Sequence, residues 1–177
     1  MNHTQRIYTE GLTVWLTGLS SAGKTTIAAA VVHRIRELGL ATEWLDGDHV
    51  RKTLCRGLGF TKEERNENVA RIAFVADILT RNGIVTIVSA MSPYRQARDE
   101  ARAIIGRFME VFVDAPLSVC ERRDAGRIYM RARRGELKNV IGVDDLYEVP
   151  LQPDVHCRTD IETIEECVDR VVAAISG

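Results

Sequence analysis

Apolar runs alternate with helix-period patterns from residue 12 onward. Leu12 to Thr17 (LTVWLT) and Ile84 to Ser89 (IVTIVS) are short, apolar and β-branched, and read as buried strands. Ala41 to Leu45 and Met109 to Val113 read as two more, and Val155 to Cys157 as a short last strand. Between them, Lys24 to Leu38 places Ile27, Val31, Ile35 and Leu38 on one helical face, with Gly39 following as a C-terminal cap. A long helix runs from Thr61 to about Arg81, opened by the capping-box pair Thr61 and Glu64 and closed by Asn82-Gly83. Arg95 to Arg107 is helical in pattern. Pro116 opens a short helix, with Asp114 as its expected cap. The last helix, Ile161 to Ile175, is expected to turn Ile161, Ile164, Val168, Val171, Val172 and Ile175 inward. Strands that are apolar on both faces and separated by helices imply an α/β fold of three layers: a central, mostly parallel five-stranded sheet with helices on each side. No repeat, low-complexity tract or linker interrupts the pattern, so residues 1–177 read as one domain.

Composition narrows the partners. The formal net charge is -1, which leaves no basic excess to neutralise a phosphate lattice, so nucleic acid is not an expected partner. No apolar stretch reaches the roughly 18 residues of a membrane span. Met1 to Gly11 is polar and lacks the apolar centre of a signal peptide. The expected location is the cytoplasm. Cys55, Cys120, Cys157 and Cys167 are widely spaced with no CxxC pair, so they read as reduced thiols rather than a zinc site or disulfide framework.

The sharpest chemical signal follows the first strand. Gly18-Leu19-Ser20-Ser21-Ala22-Gly23-Lys24-Thr25 matches G-x-x-x-x-G-K-[ST], with a strand before it and a helix after it. Glycines let such a loop turn its backbone N–H groups onto phosphate oxygens, and the helix start adds its dipole. In this role Lys24 reaches the β- and γ-phosphates and Thr25 sets its hydroxyl on Mg²⁺. ATP and Mg²⁺ are the implied cofactors. No guanine-reading N-K-x-D motif is present, which argues against a GTPase.

The other candidates fall at the carboxyl ends of the strands, the edge where open parallel sheets bind ligands. Leu45-Asp46-Gly47-Asp48-His49-Val50-Arg51 offers two carboxylates, one to organise the metal and one to hold or deprotonate an acceptor hydroxyl, and an arginine for an acceptor anion. Phe60, Arg65 and Asn68 cluster at the start of the long helix and could read a base, an anion and a sugar. Met91-Ser92-Pro93-Tyr94-Arg95 follows the third strand. Extended backbone is expected at Ser92, because it precedes proline, and Pro93 is expected in the first helical position. Arg127, Arg131, Arg133, Arg134 and Lys138 lie in a basic segment, about residues 125–147, that reads as a lid closing over the nucleotide.

Together the segments GLSSAGKTT, LDGDHVR, GLGFTKEERNEN, SPYR, VFVDAPLSVCERRD, RGELK and GVDDLYE resemble the adenylyl-sulfate kinase family, a group of P-loop kinases, from about Leu12 to the end of the chain. The resemblance implies transfer of a phosphoryl group from ATP to the 3′-hydroxyl of adenylyl sulfate, and a homodimer. It implies that the loop through Thr26 binds ATP, with Arg123 beside the adenine. It implies acceptor roles for Asp48, Arg51, Phe60, Arg65, Asn68, Met91, Ser92, Asn139 and Val140, and metal binding at Thr25 and Asp46. Lys24, Asp46, Asp48 and Ser92 are the catalytic candidates, with the duties of Asp46 and Asp48 left open between them. Family descriptions make the SPYR serine a phosphoserine intermediate, which maps to Ser92. Direct in-line transfer needs no covalent step, and Ser92 then reads as a substrate contact. The chain departs from the family pattern at Gly126 and Met130, where lysines are usual, and at Val140, where an aromatic is usual. These changes predict weaker acceptor binding or a different acceptor. Two other readings stand beside this one: a sister kinase for another nucleotide-like acceptor, and a non-catalytic nucleotide-binding protein.

Overall fold

A computed structural model describes residues 10–176. The expectations for Met1 to Thr9 and Gly177 lie outside the described residues. In chain order the elements are β1 (Leu12–Thr17), α1 (Lys24–Glu37), β2 (Thr42–Asp46), α2 (Gly47–Lys52), α3 (Lys62–Arg81), β3 (Val85–Ser89), α4 (Arg95–Ile105), β4 (Phe108–Asp114), α5 (Leu117–Arg123), α6 (Ile128–Arg133), β5 (Val155–Arg158) and α7 (Ile164–Ser176).

The five strands lie in the order β2-β3-β1-β4-β5. Every pairing is parallel, so the sheet is wholly rather than mostly parallel. β1 is central: Val14 pairs with Ile87 on one side and Met109 on the other. Successive side chains of a strand alternate between faces. Val14 and Leu16 therefore pack with Ile27, Val31 and Ile35 of α1 and Val168 and Val171 of α7. Trp15, between them, packs with Ile72, Ala73 and Ala76 of α3 and Ala97 and Ala101 of α4. Burial of each such large side chain stabilises the fold by about 1.5–3 kcal/mol. The four cysteines are buried and unpaired. Among the described residues no helix is long and apolar enough to cross a membrane.

Most boundaries fall within one or two residues of the sequence reading, and the exceptions have local causes. The last helix starts at Ile164, not Ile161, and both isoleucines face outward, at 50% and 67% exposure. The cause is a second capping box. Thr163 N–H donates to Glu166 Oε2 at 2.8 Å and Glu166 N–H donates to Thr163 Oγ1 at 3.2 Å. Leu38 caps α1 in the open rather than joining its apolar face. Asp114 does not cap α5, which starts after Pro116 without a side-chain cap; its carboxylate meets His156 Nε2 at 3.0 Å. Pro93 is not the first residue of α4, since Tyr94 is the capping position. The stretch after β2 is the short helix α2 rather than a plain turn, because the Asp46 carboxylate accepts from the N–H groups of Asp48 and His49.

At α3 the expected capping box is present, with Thr61 and Glu64 exchanging both bonds. Thr61→Ala is expected to cost about 1 kcal/mol. A thermal melt should show that as a fall of about 2–4 °C; an unchanged midpoint contradicts it.

Candidate active site

The carboxyl ends of β1, β2 and β3 open into a cavity of about 520 Å³. Its floor is the loop between β1 and α1. Gly18 there has φ 150°, and a Cβ would stand 2.1 Å from the Val113 carbonyl oxygen, so only glycine fits. Gly23 has φ 107° and ends the loop in a left-handed turn. Ala22 is fully buried beneath it. Two residues outside the loop brace it. Thr159, just beyond β5, donates its hydroxyl to the Ala22 carbonyl at 2.7 Å, and Tyr129 of α6 donates to the Ser20 carbonyl at 2.9 Å.

Lys24 lies under this arch. Its Nζ donates to the carbonyls of Gly18 at 3.0 Å and Leu19 at 2.6 Å. Burial lowers its pKa from 10.5 to about 8, opposed by the nearby Cys120, Asp48 and Asp46. Both aspartates line the same cavity.

The two carboxylates sit differently. Asp46 is fixed: its Oδ1 accepts from the Asp48 and His49 N–H groups at 3.1 and 3.2 Å, and its Oδ2 from Ser89 Oγ at 3.0 Å. Trp44 Nε1 holds Ser89 Oγ in turn at 3.0 Å. Thr25 Oγ1 is 3.4 Å from Asp46 Oδ2. That pair is a hard oxygen donor set suited to a magnesium ion that takes its remaining ligands from phosphate and water. Among the described residues no group of three or more His, Cys, Asp or Glu could hold a metal, so the fit depends on such shared coordination. Asp48 lines the cavity from the first turn of α2.

The opposite wall carries Phe60, Arg51 and Arg65. Arg51 donates to the Gly59 carbonyl at 2.9 Å and lies 4.6 Å over the Phe60 ring. Arg65 donates to the Phe60 carbonyl at 3.0 Å and lies 5.2 Å from the same ring. The phenyl ring keeps 52% exposure, which leaves it free to stack on a flat ligand. Burial lowers the pKa of both arginines; an anion in the cavity would offset that cost. Asn68 is 6% exposed, and its Oδ1 has no hydrogen-bond partner. A buried orphan acceptor in a cavity wall marks a place for a donor group of a ligand.

Ser92 departs from the extended backbone expected before proline. Its φ is +45°, in the left-handed region that non-glycine residues seldom enter. Its hydroxyl accepts from the indole Nε1 of the fully buried Trp15 at 3.0 Å. Thr17 Oγ1 donates to the Met91 carbonyl at 2.6 Å and reaches the Ser92 carbonyl at 3.3 Å.

The basic segment arches over the cavity. Ile128, Tyr129, Leu137 and Lys138 line it together with Asn139 and Val140. Arg65 reaches across to the Asn139 carbonyl at 2.7 Å. The Asp144 carboxylate accepts from the Asn139 and Val140 N–H groups at 2.8 and 2.6 Å. Asp145 accepts from the Tyr94 hydroxyl, and Tyr147 bonds Thr17 at 2.8 Å. Residues 144–148 thus form a strap that ties the segment to the acceptor side.

Most predicted site residues therefore line one space: Ser20, Ser21, Lys24, Thr25, Asp46, Asp48, Arg51, Phe60, Arg65, Asn68, Met91, Ser92, Asn139 and Val140. Gly18, Leu19, Ala22, Gly23 and Thr26 do not line it; the loop residues among them shape its floor. Arg123 is also off the cavity, bonded to Thr159 Oγ1 at 3.0 Å and the Thr159 carbonyl at 2.7 Å. Sequence reasoning missed Thr159 and Tyr129. Thr159 carried a usable signal, since it follows a strand at the binding edge.

A family model described as adenylylsulphate kinase matches residues 10–158. The adenylyl-sulfate kinase of Rippkaea orientalis is 58% identical over 162 residues, covering 92% of this chain and 90% of that protein. That of Picosynechococcus is 54% identical over 166 residues, covering 94% of each. Among solved structures, the Mycobacterium tuberculosis APS kinase in complex with AMPPNP and APS superposes with a TM-score of 0.91 at 38% identity, covering 95% of this chain and 99% of that one.

The Lys24 environment gives a pH dependence. Burial disfavours its charged form, so the free protein loses that proton as pH rises through about 8. A bound triphosphate supplies counter-charge and restores it, so binding takes up a proton. In metal-free buffer, ATP affinity should hold near pH 7.5 and then fall by up to about tenfold per pH unit above 8. Calorimetry in two buffers of different ionisation enthalpy reads both affinity and proton uptake; a flat profile with no uptake contradicts the assignment.

Proposed function

The chain belongs to the adenylylsulphate kinase family, and from that premise we propose that its cavity transfers the terminal phosphoryl group of ATP directly, in line, to the 3′-hydroxyl of adenylyl sulfate. The observation that carries this reading is that Lys24, Asp46 and Asp48 line one cavity, whose floor is the glycine loop.

The positions of the residues support the following division of duties. The loop N–H groups hold the phosphate chain, and Lys24 exchanges its two carbonyl partners for phosphate oxygens. Thr25 and Asp46 would hold Mg²⁺, which supplies charge neutralisation at the transferring group. Asp46 suits the metal because its carboxylate is already immobilised. Asp48 is then the base: it takes the proton of the 3′-hydroxyl as that oxygen bonds the γ-phosphorus and the bond to the departing ADP oxygen breaks. Phe60 stacks the acceptor adenine, Arg51 and Arg65 hold its phosphosulfate, and Asn68 Oδ1 accepts from a sugar hydroxyl. Arg123, anchored on Thr159 beside the loop, faces the ATP adenine. Residues 125–147 act as the lid. Val140 supplies apolar contact but no ring, so among the described residues that line the cavity Phe60 is the one exposed aromatic. The family resemblance further implies a homodimer.

Ser92 argues for direct transfer. Its hydroxyl is turned onto the Trp15 indole, and the residue is 3% exposed. That geometry supports a structural duty better than a nucleophilic one.

The assay is release of ADP from Mg-ATP with and without adenylyl sulfate. Release that depends on adenylyl sulfate is expected, with Asp48→Asn at least 100-fold slower while still binding ATP. Release that requires a different acceptor supports the sister kinase, and ATP binding without turnover supports the non-catalytic reading. Ser92→Ala is expected to keep more than a tenth of the turnover, and mass spectrometry of wild type during turnover to find no phosphoserine. Trapped phosphate on Ser92, with complete loss in the alanine variant, defeats direct transfer.

A further inference from the structure

One buried ion pair ties the acceptor side of the cavity to the strap behind it. Arg98 of α4 is 2% exposed, and all three arms of its guanidinium are engaged. Nε donates to Glu110 Oε1 of β4 at 2.7 Å. One terminal nitrogen donates to the Ser92 carbonyl at 2.7 Å and the other to the Glu148 carbonyl at 2.7 Å. The Tyr147 ring centre lies 5.7 Å from its central carbon. A buried arginine survives only when its charge and donors are matched. Bracing α4 on β4 would use the Glu110 arm alone. The other two arms go to backbone carbonyls of two segments of the site.

Both segments need holding. Ser92 sits at φ +45° before a proline, a conformation that the local sequence disfavours. The Glu148 N–H returns a bond to the Pro93 carbonyl at 2.8 Å, and its carboxylate accepts from the Arg95 N–H at 2.8 Å. From there the strap runs back to Asn139 and Val140 in the cavity wall. Trp15 also bonds Ser92, and Thr17 joins the two segments through the Ser92 carbonyl and the Tyr147 hydroxyl, but Arg98 does so with a full charge and at shorter distances on one rigid fork.

We propose that Arg98 is a positioning residue for the acceptor: by clamping the Ser92 carbonyl and the Glu148 carbonyl together, it sets the acceptor loop and the lid strap as one unit. Arg98 does not touch substrate, and the inference rests on the acceptor reading of this cavity given above. Lysine at this place keeps the charge but cannot fork to three acceptors. Glutamine at position 110 keeps an acceptor for Nε and leaves both carbonyl contacts in place.

The test compares Arg98→Lys with Glu110→Gln, below their melting temperatures. Arg98→Lys is expected to raise the KM for adenylyl sulfate at least tenfold while the ATP dissociation constant moves less than twofold. Glu110→Gln is expected to melt lower yet keep the acceptor KM within threefold. Equal acceptor defects in both variants, or parallel losses of ATP and acceptor affinity, reduce Arg98 to a structural brace and overturn the proposal. A second readout needs no turnover. The Trp15 indole N–H bonds Ser92 and the Trp44 indole N–H bonds Ser89. In ¹⁵N spectra, assigned with Trp44→Phe, Arg98→Lys should displace the Trp15 signal and leave that of Trp44 in place. An unmoved Trp15 signal overturns the proposal. If wild type fails to turn over adenylyl sulfate, the acceptor assignment falls, and the indole signal still decides whether Arg98 holds the loop.

Discussion

A half-buried ammonium held against two backbone carbonyls is the constraint around which this molecule is arranged. Burial lowers the pKa of Lys24 to about 8, with Cys120, Asp48 and Asp46 opposing the shift, and the Gly18 and Leu19 carbonyls fix where its ammonium sits. Those carbonyls can face inward only because Gly18 passes against Val113 with no side chain. The loop needs rigid support from beneath. Thr159 holds the Ala22 carbonyl from the far end of the sheet and Tyr129 holds the Ser20 carbonyl from above. Strand, loop, the end of the last strand and α6 are thus four contributors to one electrostatic device. Preorganised donors of this kind cost nothing to reorient when charge moves in the reaction.

The acceptor side follows a second logic. Its carboxylates, arginines and aromatic come from segments far apart in sequence, and Asp46, Arg51 and Arg65 each make at least one bond to backbone atoms. Asp46 caps the helix that follows it, Arg51 donates to the Gly59 carbonyl, and Arg65 donates to the Phe60 and Asn139 carbonyls. Backbone partners do not change rotamer, so the parts of the wall built on them have a fixed shape. Arg98 extends this scheme into the core, where its three bonds reach β4, the Ser92 turn and the strap.

Much of this was legible in the sequence, because the signals were local. The β-branched runs marked the strands, Thr61 and Glu64 marked a helix start, and the glycine spacing marked the phosphate loop. Most of the motif segments also converge on one cavity, at the carboxyl edge of the parallel sheet. What escaped was set by distant partners. Isoleucines 161 and 164 followed a helical pattern, but Thr163 and Glu166 started the helix later and left them outside. Ser92 obeyed no local preference, because Trp15, Thr17 and Arg98 outweigh the proline after it. Arg98 itself looked like one more charge on a polar helix; its partner Glu110 is on another element, and its other contacts are carbonyls that no side-chain pattern reveals. Thr159 was missed for the same reason.

The sheet order carries one further consequence. The phosphate cradle follows β1, which has a neighbour on each side, whereas Asp46 ends β2, an edge strand with a neighbour on one side only. Edge strands open locally at lower free energy than central ones. The Asp46 carboxylate therefore hangs on the strand with less lateral support, and its bonds to Ser89 and to the first N–H groups of α2 supply the stiffness that the missing neighbour does not.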